Sequence, residues 1–419
     1  MGAGEAGSER RAGSGFGRGL VRAAVVWGPG LLVMLADTDA GNVVAAAQGG
    51  AEFGYRLLPL ILLLIPALYL LQELTVRLGV ATGRGHAELI RDRYGLGWAL
   101  AAVAGLAVAA IGSLVTEFTG VAGIGEMFGL PRGLSLALAL AALLAIVGAG
   151  AYRRVERVAL AIGLFELAFF AVAWMARPDL ATIARHAADL PIGDRRFLYM
   201  AAALIGATFN PWMIFYQQSA TVDKGLVPAD LGHARADTAI GAALTQSLTG
   251  AVLIAAAAAF SQGGAGGLTS IGEIGAALTP ALGPVAGRIA FAAGVLGAAM
   301  VAAIVASLAL AWGVGEILGL RRALERRPFE ARGFYGAYAA AAAGSAALVW
   351  AVPDLVGLNV AAQALNALLM PLSIGLLVAL AGSALSGGLR PSALRLRLIA
   401  TVAVAVCLLG VVGVVGQLV

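Results

Sequence analysis

The sequence predicts an all-α membrane protein of eleven transmembrane helices, built as a five-plus-five inverted repeat whose first and sixth helices are discontinuous. Three observations carry that expectation. Hydrophobic residues make up 60% of the 419 residues and charged ones only 12%, the mean hydropathy is +0.91, and apolar runs of roughly 20 residues, long enough to cross a bilayer, recur along the whole chain. Two of these runs are interrupted by polar residues at corresponding points of the two halves, Asp37-Thr38-Asp39-Ala40-Gly41-Asn42 and Gly206-Ala207-Thr208-Phe209-Asn210-Pro211. Arginine collects in the connections that share one side of the membrane when the segments alternate, which is the signature of a cytoplasmic face.

Residues 1–21 are rich in Gly, Ser and Arg and read as a disordered cytoplasmic tail. Arg10-Arg11 and the apolar stretch after Arg22 resemble parts of an export signal. That stretch runs into the first polar interruption and resumes beyond it, with no convincing small-residue cleavage site, so a retained first span is expected. Spans follow at 22–52 (broken at 37–42), 56–79, 97–127, 131–150 and 155–176. The second set lies at 197–222 (broken at 206–211), 236–260, 283–318, 334–352 and 356–385, with an eleventh at 396–418. The domains expected are therefore the tail, a first repeat over 22–176, a second, inverted repeat over 197–385, and a final helix over 396–418. Five spans per half is an odd number, so the halves enter the membrane from opposite sides, and the substrate site of such carriers lies at the broken helices near the midplane.

The connections at 77–93, 151–157, 321–332 and 390–397 are rich in arginine, and the tail lies on the same side. This places the N-terminus in the cytoplasm and the C-terminus outside, in a multi-pass protein of the inner (plasma) membrane. The connection at 177–196 mixes arginines with Asp179, Asp189 and Asp194. Topology thus accounts for the net charge of +5, and nucleic acid is excluded as a partner; the partners expected are the lipid bilayer and a transported ion. The 58 glycines suit close helix packing in lipid. Cys407, the single cysteine, excludes an internal disulfide framework and a thiolate metal cluster. No nucleophile with a base, ligand cluster or nucleotide loop appears, so an enzyme is not expected.

The chemistry at the breaks suits a cation. The first half-helices end near Ala36 and Thr208, so their negatively polarised carbonyls point toward the gap. Asp39 adds a formal charge, Asn42 and Asn210 offer amide oxygens, Ala207 a freed carbonyl, and Gly41 permits the turn. Pro211 fits the first position of the resumed helix. The plain structural alternative is that Asp39 and Asn210 merely cap the resumed half-helices. Asp37 is expected to face a vestibule or pair with an arginine near the helix end. Oxygen ligands without thiolate, imidazole or thioether favour a hard divalent cation.

Gly28-Pro29-Gly30 through Asp39-Ala40-Gly41-Asn42 resembles the first helix of the natural resistance-associated macrophage protein (Nramp) family of divalent metal transporters, whose signature there is Asp-Pro-Gly-Asn. The resemblance continues through Arg77-Leu78-Gly79-Val80-Ala81-Thr82-Gly83, Ala87-Glu88-Leu89, Glu117-Phe118-Thr119-Gly120 and Phe128-Gly129-Leu130-Pro131, and implies the LeuT-type fold of that family. In the sixth segment Gly206-Ala207-Thr208 and Pro211 match, but the family's Met-Pro-His core stands as Asn210-Pro211-Trp212. In the family the methionine is the soft ligand favouring manganese and iron, and the histidine is tied to proton movement. Here Leu114 stands three residues before Glu117, where the family has Asp, and the segment 334–352 contains no arginine. The chain therefore resembles the Nramp-related magnesium transporters, which implies Mg2+, with Mn2+, as the transported substrate, no cofactor, and no proton coupling. A proton-coupled Mn2+/Fe2+ carrier and a Na+-coupled carrier of organic solutes are the alternatives.

Asn359, Gln363 and Asn366 sit at i, i+4 and i+7, on one face of the tenth segment. That face either lines the path and adds an oxygen ligand, with Gln363, Asn366, Glu117 and Thr208 as secondary candidates, or makes interhelical hydrogen bonds. Gln246 and Ser247 carry the same two readings. His86 and His233 fall in cytoplasmic connections and His186 in an exterior one, so no histidine centre is expected. Glu52, Glu73 and Glu126 are expected to be solvated or paired.

Overall fold

The computed structural model describes residues 26–148, 152–260, 274–275, 285–320, 324, 329–352 and 354–418. The expected tail at 1–21, the starts of the first and eighth segments (22–25 and 283–284), the end of the fourth (149–150) and most of the arginine-rich connection at 321–332 lie outside the described residues. The first half contains α1 (Pro29–Leu35), α2 (Ala40–Phe53), α3 (Leu58–Thr82), α4 (His86–Tyr94), α5 (Leu96–Met127), α6 (Arg132–Gly148), α7 (Tyr152–Gly163), α8 (Ala168–Met175) and α9 (Leu180–Ala188). The second contains α10 (Arg195–Thr208), α11 (Pro211–Asp223), α12 (Leu231–Phe260), α13 (Ala286–Ile317), α14 (Arg332–Ala351), α15 (Leu355–Ala384) and α16 (Ala393–Leu418). No strand occurs among the described residues.

Nine stretches among the described residues are long and apolar enough to cross a membrane. The eleven expected differ from these nine at two places. A 3₁₀ turn at Gly54–Leu57 joins α2 to α3, so Ala40–Thr82 runs on as one helical stretch of 43 residues, and α6 has only 17 residues. Two short helices, α4 and α9, stand in what reads as connections, and Arg77 is buried inside α3 rather than in a loop. Glu73 is fully buried beneath Arg77, Arg235 and Arg395, all three within ion-pair reach. Glu52 pairs with Arg196 and Glu126 with Arg132.

Both broken helices arise from local chemistry. Pro29 opens α1, and Gly28 before it holds φ at 140°, a value L side chains avoid. Having no side chain to cap the helix, Gly28 leaves that task to Asp237 of α12, whose carboxylate accepts from the N–H groups of Gly28, Gly30 and Leu31 at 3.1, 2.8 and 3.2 Å. Pro211 opens α11, where a missing N–H costs nothing. Around these half-helices α12 packs on α1, α2 and α3, α15 on α5 and α10, and α13 on α5. Small residues let backbones touch: a Cβ on Gly206 would collide with the carbonyl of Gln363, and one on Gly50 with that of Leu253.

His86 opens α4 and is buried, contrary to a solvated connection. Its Nδ1 lies 2.7 Å from Gln218 Oε1, and its ring meets that of Phe215 edge-on. Burial pushes the imidazole down to about 4, against the opposing pull of the Gln218 hydrogen bond. Cys407 is partly buried in α16.

Candidate functional site

The first break spans the residues between α1 and α2. The last turn of α1 tightens, with Asp37 N–H donating to Met34 O at 3.1 Å and Thr38 N–H to Leu35 O at 3.0 Å, and Asp39 is extended. Asp39 Oδ1 accepts from Asn42 N–H at 2.6 Å, so it does cap α2. A second carboxylate reaches the same helix end: Glu117 Oε2 of α5 accepts from Ala40 N–H at 3.1 Å, while its Oε1 is held by Thr116 at 3.1 Å. Asn42 Nδ2 donates to the freed carbonyl of Asp37 at 2.9 Å. At the second break Asn210 is extended and makes no cap to α11; its Nδ2 instead donates to Ala207 O at 2.7 Å. Capping thus accounts for part of Asp39 and none of Asn210.

The side chains of α15 join the two breaks. Gln363 Nε2 reaches Asp39 Oδ1 and Oδ2 at 3.3 and 3.4 Å, Asn366 Nδ2 donates to Gln363 Oε1 at 3.1 Å, and Asn366 also donates to Asn210 Oδ1. A continuous buried chain therefore runs from Asp39 through Gln363, Asn366 and Asn210 to the Ala207 carbonyl. Asn366 Oδ1 within it and Asn42 Oδ1 beside it have no hydrogen-bond partner. Buried oxygens without donors are unusual and suit a cation that supplies the missing positive partner. Among the described residues no three His, Cys, Asp or Glu side chains converge on one point. A cation here would rest on one carboxylate with amide and carbonyl oxygens.

Other expected residues separate. The Thr208 hydroxyl is spent on Leu204 O at 3.0 Å and receives Gln246 Nε2 at 3.2 Å. Asn359 donates to Thr119 Oγ1 and to Leu355 O, an interhelical tie. Ser247 bonds its own helix at Ala243 O, 2.6 Å, on an exposed face. Trp212 and Leu114 are fully buried.

Asp37 departs from expectation. It is fully buried, faces neither vestibule nor arginine, and neither carboxylate oxygen has a hydrogen bond. Glu166, which the sequence reading passed over, is likewise fully buried with both oxygens unpartnered. Its one signal was a carboxylate inside the apolar run 155–176, the same signal that marked Asp39.

A model of the Natural resistance-associated macrophage protein-like family matches residues 30–416. The chain belongs to the Nramp family. A relative, the divalent metal cation transporter MntH of Brucella suis biovar 1 (strain 1330), is 32% identical over 313 residues, covering 71% of this chain and 67% of the relative. The crystal structure of the Eremococcus coleocola manganese transporter in complex with an aromatic bis-isothiourea substituted compound superposes with a TM-score of 0.73 at 20% identity, over 94% of this chain and 87% of that one. MhsT in complex with L-phenylalanine gives 0.64 at 14%, over 91% and 98%. These two likenesses establish the LeuT-type fold for this Nramp chain. The relatives named as transporters carry metals across membranes and are not enzymes.

Proposed function

We propose that this Nramp-family chain admits hard divalent cations, Mg2+ and with it Mn2+, across the inner membrane into the cell by alternating access, without proton coupling. The observation that carries the reading is the buried chain of amide-to-oxygen hydrogen bonds joining Asp39, Gln363, Asn366, Asn210 and the Ala207 carbonyl, with Asn42 beside it and no sulfur or imidazole in it. A thioether would favour softer ions; an amide in its place favours Mg2+, which sheds water reluctantly and binds weakly to one carboxylate with neutral oxygens. Asp39, Asn42, Ala207 and Asn210 are assigned as ligands, and Gln363 and Asn366 as the groups that close on the ion. Glu117 steadies the end of α2, and Thr208, whose hydroxyl donates to Leu204 O and accepts from Gln246, stays a secondary candidate. The repeats 22–176 and 197–385 are the two bodies that move against each other, and the N-terminus is cytoplasmic.

Absence of proton coupling is supported by Trp212 and Leu114, neither of which carries a proton. The proton-coupled Mn2+/Fe2+ reading draws on the retained, buried Glu117 and on the relatives' printed activities. Uptake of Mg2+, Mn2+, Ca2+ and Na+ by purified protein in sealed vesicles, with interior pH followed, separates them. Entry of Mg2+ and Mn2+ at constant interior pH is expected; metal-dependent acidification that persists once other proton leaks are closed overturns the uncoupled reading, and solute currents requiring Na+ overturn the metal assignment.

A further inference from the structure

Two of the four buried carboxylates around the first break have no role in the site built above. Asp39 and Glu117 accept hydrogen bonds from the start of α2. Asp37 and Glu166 accept none, though both are fully buried. Between these two lie paired hydroxyls: Thr38 Oγ1 is 2.7 Å from Thr245 Oγ1, with Thr38 beside the Glu166 carboxylate, and both Asn210 and Thr245 beside that of Asp37.

The backbone gives a second, independent sign. Glu166 sits in the 3₁₀ turn Leu164–Leu167 through which the span Tyr152–Met175 passes from α7 to α8. No proline stands in that turn, and a mid-helix 3₁₀ segment often marks a functional hinge or a sequence under strain. A carboxylate inside an apolar span is the signal that Glu166 shares with Asp39. Gly163 lies one turn earlier, where a Cβ would stand 2.9 Å from Leu35 Cδ1 and 3.5 Å from Glu166 Oε1, so the glycine lets Glu166 lie close to the end of α1.

No described lysine or arginine makes an ion pair with Asp37, Asp39, Glu117 or Glu166. A buried carboxylate without a counter-charge is costly, so each of the four is neutralised by a proton or by a cation beside it.

We propose that Asp37 and Glu166, with the hydroxyls of Thr38 and Thr245, form a second station for a hard divalent cation, on the α7–α8 and α12 side of the first break. It rests on the transport reading above and deepens it. Conduction is fastest where an ion binds well enough to enter and a neighbouring ion helps it leave, so two adjacent weak stations give an uncoupled carrier a way to release Mg2+.

Equilibrium binding of radioactive Mn2+ to the purified full chain in detergent tests this. Two Mn2+ per chain are expected for the parent, one for Glu166→Gln, one for Asp39→Asn, and none for the double variant. Should Glu166→Gln fail to fold, Thr245→Val removes a ligand hydroxyl from the same station and is expected to bind one. A parent that binds one Mn2+, lost in Asp39→Asn and kept in Glu166→Gln, leaves the transport reading intact and overturns the second station. Two ions bound without any Mg2+ or Mn2+ uptake keeps the station and overturns transport. No Mn2+ bound at all overturns both, with water then filling the space beside Glu166.

Discussion

At the scale of single residues, the proposed function makes Asn210 the residue that sets the kind of ion. In the resemblance to the family pattern Asn210 takes the position of a methionine; its Oδ1 accepts from Asn366 and its Nδ2 donates to Ala207 O. Asn210→Met exchanges a hard donor for a soft one, so the Mn2+ to Mg2+ preference in vesicle competition is expected to rise by about tenfold, the equivalent of ~1.4 kcal/mol. An unchanged ratio in an active variant removes Asn210 from selectivity. Gln363→Ala takes away the side chain that ties α15 to Asp39, and is expected to lower Mg2+ uptake several-fold while leaving the melting temperature in detergent near that of the parent. Asp39, Asn42 and Asn210 stood out in the sequence as polar residues inside apolar runs, with the Ala207 carbonyl freed beside the second break, and the structure places all four at the two breaks. The spacing of Asn359, Gln363 and Asn366 showed a shared face but not what each would touch: two face the breaks, and the third ties α15 to Thr119 of α5. Glu166 showed only as a carboxylate inside an apolar run, with no polar break beside it, and the partners of Asp37 could not be read because Asn210 and Thr245 lie far away in sequence.

Among the helices, packing is set by glycines at contacts where backbone meets backbone. A Cβ at Gly206 would collide with the Gln363 carbonyl of α15, so Gly206→Ala must push apart the two helices that join the breaks. Overpacking of this kind costs about 1–3 kcal/mol; thermal melting in detergent is expected to show the loss, and uptake is expected to fall with it. A parental melting temperature would mean that α10 and α15 do not pack as described. Helix α4 gives a pH dependence. The folded protein holds His86 neutral down to about 4, whereas an unfolded chain protonates it near ~6.5. Above that value both states are neutral and the histidine has no effect on stability. As pH falls from ~6.5 toward ~4 the unfolded chain takes up the proton first, and stability is lost. The melting temperature is therefore expected to fall between about pH 7 and about pH 5, and less steeply in His86→Gln; parallel curves would contradict the burial argument. The long spans were legible from apolar length alone, including both breaks. Helices α4 and α9 were not, because their nine residues each lie in charged stretches where no long apolar period develops. The fusion of α2 with α3 escaped because Gly54-Tyr55-Arg56-Leu57 reads as a turn, whereas the chain passes through it as a 3₁₀ segment that keeps the helix going.

For the whole molecule, the account makes one central claim: the two broken helices meet around an ion, and Asp39 supplies the charge that draws it out of water. The measurement that tests it most directly is Mg2+ and Mn2+ uptake into sealed vesicles by the parent beside Asp39→Asn, with Asp39→Ala as the harsher change. Asparagine is as good a helix cap as aspartate, so Asp39→Asn keeps the bond to the start of α2 while removing the charge. The account predicts that Asp39→Asn melts near the parental temperature in detergent and admits neither ion. A folded Asp39→Asn protein that takes up Mg2+ at the parental rate would contradict it.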